Sequence, residues 1–174
     1  MLICTFDEYE IHLLDPTHHE SLSLLEPGDL SFSQGEWTSA VNREKDFIKE
    51  KLIDFAHGKG FYAGIWFKET MIGFIALHDI SKNSKSASIS YAMGAAFRGK
   101  GIMTKACSAI IDYGFNVMDL NRISIGADIQ NIPSRKIPEK LGFIKEGILR
   151  DLYKSKDGFR DAVQYSMLKR EWKS

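Results

Sequence analysis

Hydrophobic and polar positions repeat with different periods along successive stretches of the chain. Glu10 to Leu14 has the composition of a short strand. His18 to Leu25 carries a helical pattern that stops at Pro27-Gly28, and Asp29 to Gly35 is polar and loop-like. Between Arg43 and Ala56, Ile48, Leu52 and Phe55 recur at helical spacing. Lys45, Lys49, Glu50 and Asp54 occupy the other side of that helix, and Gly58 and Gly60 bracket its end. Beyond it the period drops to that of strands. Phe61 to Phe67 and Met71 to Leu77, joined by Lys68-Glu69-Thr70, predict a hairpin. After a polar linker, Ser81 to Lys85, the residues Ala87, Ile89, Tyr91 and Met93 alternate with Ser88, Ser90 and Ala92.

The helical period returns from about Gly101 to Val117. Met103, Ala106, Cys107, Ile110, Gly114 and Val117 share one face, and Lys105, Ser108, Asp112 and Asn116 the other. Arg122 to Ala127 predicts a strand, Pro133 to Leu141 a short helix, and Gly142 its left-handed cap. Asp157-Gly158 is a turn signal between Leu149–Tyr153 and Phe159–Leu168, which predicts a second hairpin. Helices, then antiparallel strands, then strand-helix-strand-helix-strand predict an α/β chain with a mixed sheet covered by helices. The 174 residues suit a single domain, without internal repeat, low-complexity tract or long linker.

Composition narrows the function classes. The chain is 44% hydrophobic and 26% charged, as soluble globular chains are. Lys plus Arg number 23 and Asp plus Glu 23, so the formal net charge of +0 offers no whole-molecule attraction to nucleic acid or an anionic membrane. Cys4 and Cys107 have neither metal-knuckle nor disulfide-framework spacing, which suits a reducing cytoplasm. His18-His19 lacks the partners of a zinc site and reads as a surface pair. No apolar run approaches the ~20 residues of a membrane span, and Met1 to Glu10 lacks the basic start of a signal peptide.

The segment Gly94-Ala95-Ala96-Phe97-Arg98-Gly99-Lys100-Gly101-Ile102-Met103-Thr104 carries the chemistry. It joins a predicted strand to a helix start, where unpaired backbone N–H groups and the positive end of the helix dipole attract anions. Gly99 and Gly101 permit positive φ and close approach of the main chain, and Arg98 and Lys100 add charge. The bland reading is a strand-helix turn with a solvated basic pair; the functional one is a pyrophosphate loop. Gly94 to Lys100 also satisfies the first positions of a nucleotide P-loop, G-x-x-x-x-G-K. Gly101 stands where that motif needs the Ser or Thr that ligates Mg²⁺. These residues suit a pyrophosphate held by amides and cations without a metal.

Arg98-Gly99-Lys100-Gly101-Ile102 resembles motif A, Q/R-x-x-G-x-G/A, of the Gcn5-related N-acetyltransferase (GNAT) superfamily, with Met103 where Gly or Ala is usual. Asn121-Arg122-Ile123, Asn131-Ile132-Pro133-Ser134-Arg135, Glu139-Lys140-Leu141-Gly142-Phe143 and Glu146-Gly147 resemble the second motif of the Rim-type (RimJ/RimL-like) ribosomal-protein N-terminal acetyltransferases. The likeness runs from about Phe61 onward and is looser before it. It implies one domain over 1–174, with a helical acceptor-side region at 1–60 and an acetyl-CoA-binding core and C-terminal hairpin at 61–174. Splayed central strands and helices on both faces are implied too.

The resemblance also assigns residues. Backbone amides of the loop, with Phe97 to Thr104 around them, would hold the CoA pyrophosphate. The strand Ser90 to Met93, through Tyr91, Ala92 and Met93, would carry a bulge and pair with the pantetheine arm, and Asn131 would contact that arm. Read from the residues alone, Asn131 caps the helix that contains Pro133 and Ser134 sits in its first turn, from which a hydroxyl can face a leaving sulfur. In the Rim-type group this Ser is the general acid for the CoA thiolate. Many relatives instead use a Tyr at the position of Pro138, whose place inside a helix costs a hydrogen bond.

The implied mechanism is direct transfer of acetyl from acetyl-CoA to a neutral amine. Backbone N–H groups near Met93 would stabilise the oxyanion, and Ser134 would protonate the thiolate. Glu8, Glu36, Glu146 and His78 are base candidates by residue type only. The acidic residue that serves in one Rim-type branch falls at Tyr153. Glu36-Trp37 and Tyr153 are candidates for the acceptor side, Trp37 alternatively packing the early helices. Cys107 falls on an apolar helix face and reads as a buried hydrophobe. The Rim-type likeness implies a ribosomal-protein N-terminus as acceptor; polyamines, amino acids or antibiotics are the small-molecule alternative. A non-catalytic CoA-binding sensor and a P-loop-like nucleotide-binding protein are the readings from other classes. The C-terminal strand suits either pairing across a homodimer, as in relatives, or an intramolecular hairpin.

Overall fold

Eight strands form one sheet in the computed structural model, which describes residues 1–23, 43–155 and 158–173. In chain order the strands are β1 (Leu2–Phe6), β2 (Tyr9–Leu13), β3 (Phe61–Phe67), β4 (Thr70–Ser81), β5 (Ser86–Met93), β6 (Arg122–Asp128), β7 (Ile144–Ser155) and β8 (Gly158–Leu168). The helices are α1 (His19–Ser23), α2 (Arg43–Ala56), α3 (Ile102–Asn116) and α4 (Ile132–Lys140). Across the sheet the order is β1-β2-β3-β4-β5-β6-β8-β7. Every pairing is antiparallel except β5 with β6.

Strand alternation, shifted by one residue at Ile72 where the β3–β4 register slips, gives the sheet two apolar faces. On β4, Ile72, Ile75 and Leu77 join the larger core under α3, while Met71, Phe74 and Ala76 join a second core with Leu22 of α1 and Ile48 of α2. Helices therefore cover both faces. α3 sends Met103, Ala106, Cys107 and Ile110 into the larger core. Burying an aliphatic or aromatic side chain of this size contributes roughly 1.5–3 kcal/mol, so this face fixes α3 against the sheet.

Several expectations are adjusted. β1 is an unforeseen edge strand, paired antiparallel with β2: its short, half-exposed pattern carries no strong alternation. The first helix begins with a 3-10 turn at Pro16–His18 capped by Asp15, and residues 24–42, including Pro27-Gly28 and Asp29 to Gly35, lie outside the described residues. His18 is not a plain surface residue; its ring lies 5.0 Å from that of Trp66. Val117 is 67% exposed because the helix ends at Asn116, and Ile111 and Phe115 fill the core instead. β7 starts at Ile144, ahead of the expected Leu149. Gly158 already belongs to β8, paired with Ser155, and Asp157 lies outside the described residues.

One bridge ties the C-terminal strands together. Arg122 on β6 donates to both oxygens of Glu146 on β7, at 2.8 and 2.5 Å, across β8, where Ser166 Oγ donates to the same carboxylate at 2.8 Å. Arg122 and then Ser166 hold the Glu146 carboxyl down to about 2 from 4.5. A lowered carboxyl pKa stabilises the fold above 4.5, and that contribution disappears as pH falls through about 2. Glu146→Gln is expected to lower Tm by about 2–4 °C at pH 7. The difference from the parent should shrink steadily in melts taken from pH 5 down to pH 2.5.

Candidate active site

The parallel ladder between β5 and β6 ends early. Ser86–Ser88 pair with Arg122–Ser124, and beyond Ser88 the strands diverge. On its other side β5 stays in register with β4 from His78–Ser88 to Gly73–Met93. The bulge expected in Ser90 to Met93 is therefore absent; the opening arises from the divergence of β6 alone. Gly94 N–H donates to Ile72 O at 2.9 Å. By the two-residue period of an antiparallel pair, the amides of Ala92 and Ser90 also face β4, whereas those of Tyr91 and Met93 face the opening. The Met93 carbonyl on that edge accepts from Arg98 Nε at 2.8 Å.

A cavity of about 590 Å³ fills the opening. β5 forms one wall, the start of α3 the floor at one end, and α4 with β6 the other wall. Of the residues expected from sequence, Tyr91, Ala92, Met93, Phe97, Arg98, Gly99, Gly101, Ile102, Met103, Thr104, Asn131, Ser134 and Tyr153 all line it. Lys100 does not: it is exposed, with its ammonium 5.4 Å from the Phe97 ring centroid. Glu36 and Trp37 lie outside the described residues.

The floor has the features of an anion cradle. Gly99 (φ +75) and Gly101 (φ +78) hold the left-handed backbone that glycine adopts without strain, and a Cβ on either meets no atom within 4 Å. Gly101 caps α3 without a side-chain hydrogen bond, so the first helical amides point into open space. Five lining cations, Arg98, Lys136, Lys140, Lys154 and Arg160, face one lining carboxylate, Asp128, among the described residues. Arg160 Nη1 sits 3.3 Å from Asp128 Oδ2 and offsets that charge. Sequence reading missed Lys136 and Lys140, whose i, i+4 spacing beside Ser134 was a usable signal. It also missed Lys154 and Arg160, brought to the rim by the β7–β8 register, in which Tyr153 pairs with Arg160.

On the α4 wall, Asn131 Oδ1 accepts from Ser134 N at 3.1 Å, the capping role read from the sequence. Ser134 is half-buried, and its Oγ lies 3.4 Å from the Tyr91 hydroxyl. Tyr91 O–H donates to the Ser134 carbonyl at 2.9 Å. Burial pushes the Tyr91 phenol well above its ordinary range. Tyr153 is half-buried and also raised by burial; Gly126 leaves room for its hydroxyl, which a Cβ there would meet at 3.2 Å.

The remaining candidates fall elsewhere. Glu146 is engaged in its bridge with Arg122, and Glu8 is exposed in the β1–β2 turn. His78 Nε2 lies 2.7 Å from Ser90 Oγ and Nδ1 2.8 Å from Asp79 Oδ2. Cys107 is fully buried, with its thiol pKa raised by burial, so it cannot carry an acyl group from the cavity. No cluster of three metal-ligating side chains occurs among the described residues, and no helix among them is long and apolar enough to cross a membrane.

Cleft, glycine cradle and sheet order together define an acyltransferase architecture. An acetyltransferase (GNAT) domain model matches residues 13–144. The Bacillus subtilis (strain 168) protein named "Putative ribosomal N-acetyltransferase YdaF" is 35% identical over 99% of this chain and 98% of its own length. The ribosomal-protein-serine acetyltransferase of Escherichia coli (strain K12) is 27% identical over 93% of both chains. A crystal structure of a protein named "Probable acetyltransferase" superposes with a TM-score of 0.86 at 32% identity, covering 99% of both chains. The chain belongs to the GNAT acetyltransferase family. It is an N-acetyltransferase, of a family whose enzymes use acetyl-CoA as the acetyl donor.

Proposed function

We propose that this enzyme acetylates the N-terminal α-amine of a protein, of the ribosomal-protein type, from acetyl-CoA bound between β5 and β6. The observation that carries the donor site is the splay of β5 from β6 beside the Gly99–Gly101 cradle. The amides at the start of α3, with Arg98 beside them, receive the pyrophosphate. The outward amides of Tyr91 and Met93, with Asn131 opposite, receive the pantetheine arm. One of these N–H groups stabilises negative charge that develops on the carbonyl oxygen. Ser134 donates its hydroxyl proton to the departing thiolate and regains one from the proton the amine nitrogen releases on acylation, and Tyr153 borders the acceptor side.

Amine basicity favours a peptide over a polyamine. A peptide N-terminus brings one amine, which reacts in its neutral form; α-amines, with pKa near 8, reach that form more readily than side-chain amines near 10.4. Relatives named for ribosomal proteins align along nearly the whole chain. The test compares peptides bearing ribosomal-protein N-termini with spermidine at pH 7.5. A kcat/KM at least tenfold higher for a peptide is expected; the reverse order would assign the enzyme to small amines.

A further inference from the structure

Pro138 lies inside α4 and is buried. It has no N–H, so the helical bond that residue 138 would donate to the carbonyl of Ser134 cannot form, and its ring turns that carbonyl away from the axis. A polar backbone group left unpaired beside a packed wall is costly. Here the missing donor comes from outside the helix: Tyr91 O–H, on the opposite wall of the cleft, donates to Ser134 O at 2.9 Å. The same residue that bears the reacting hydroxyl is thus tied to β5 through its own carbonyl.

We propose that Tyr91 is a positioning residue for Ser134, and that Pro138 creates the backbone acceptor through which it acts. This rests on the reading of Ser134 as the proton donor. A phenol has one proton, and Tyr91 gives it to the Ser134 carbonyl, so toward Ser134 Oγ it can only accept. The Oγ to Tyr91 hydroxyl distance of 3.4 Å is long for such a bond. The short contact fixes the Ser134 backbone and the spacing of the two walls. The long one leaves the Ser134 proton free to turn toward a sulfur. Tyr91 does not itself supply that proton, because its one proton is held by the Ser134 carbonyl at 2.9 Å. The tether also gives Pro138 a function: an Ala there would restore the internal helical bond and release Tyr91.

Tyr91→Phe, Pro138→Ala and the double variant form a cycle, read by steady-state kinetics and thermal melts alongside Ser134→Ala. Each single change removes the same tether, so each is expected to lower kcat about tenfold with KM for acetyl-CoA within threefold. The double variant should be no worse than either single. In melts, Tyr91→Phe should lower Tm in the parent, where the Ser134 carbonyl loses its donor, and by less than half as much beside Pro138→Ala. Multiplying kcat losses, near a hundredfold in the double variant, would overturn the tether. So would a Tyr91→Phe loss equal to that of Ser134→Ala with no effect of Pro138→Ala, which would make Tyr91 the donor. Parental kcat in Ser134→Ala would remove the reading of Ser134, and the role of Tyr91 in turnover with it, even if the melts still show coupling.

Discussion

Ser134→Ala is expected to lower kcat by about 10²-fold, the lower end for loss of a positioned proton donor, with acetyl-CoA affinity unchanged. The CoA thiol has a pKa near 8.5, like that of other simple thiols. The thiolate is therefore a moderate leaving group, and a donor at its side accelerates departure without being indispensable. Ser134 sits in the first turn of α4, capped by Asn131, on the wall facing β5. It makes no contact with the Gly99–Gly101 cradle proposed to hold the pyrophosphate. A loss confined to kcat marks an interaction made in the transition state alone. If KM rises in step while kcat stays at the parental value, Ser134 serves donor binding and not proton transfer. Steady-state kinetics with acetyl-CoA varied at saturating acceptor separates the two.

Gly101→Val should act at the other end of the cavity and in the opposite kinetic sense. At φ +78 a β-branched residue is strained by roughly 1–2 kcal/mol, lowering Tm by a few degrees. No protein atom lies within 4 Å of the added Cβ, so the fold has room for it. What it would meet is an anion approaching the first amides of α3. A pyrophosphate displaced from these N–H groups loses charge-assisted hydrogen bonds, and KM for acetyl-CoA is expected to rise at least tenfold while kcat stays near the parental value. Fluorescence or calorimetric titration of the variant checks the binding component directly. A variant that binds acetyl-CoA as the parent does would move the pyrophosphate elsewhere.

These two sites differ in how visible they are in the bare chain. Gly94 to Thr104 is contiguous, and its chemistry depends on backbone conformation and one helix start, both encoded locally. The loop was therefore legible down to the sign of φ at Gly99 and Gly101. The sheet class and the helix spacing of α2 and α3 were legible for the same reason, since period and caps are local. β1 was not, because a short edge strand with Leu2 half in water lacks a buried face to impose alternation. The contact of Tyr91 with Ser134 joins residues 43 apart in sequence. Only a prolyl in a helical pattern hinted at it, and the hint showed that a bond was missing without showing what replaced it. Lys154 and Arg160 reach the cavity rim through the β7–β8 register, which shifts between Leu149 and Tyr153; no periodic pattern announces such a shift. The absent bulge in β5 is the converse case, in which the open edge arises from the neighbouring strand instead.

Acetyl-CoA binding by calorimetry in the presence of EDTA, with the parent and with Arg98→Ala/Lys100→Ala, tests the assigned site most directly. Micromolar affinity without a metal, weakened at least tenfold by removal of the two charges (about 1.4 kcal/mol), is the predicted result. No binding by the parent in EDTA, or equal binding by both proteins, would contradict the placement of the pyrophosphate on this loop.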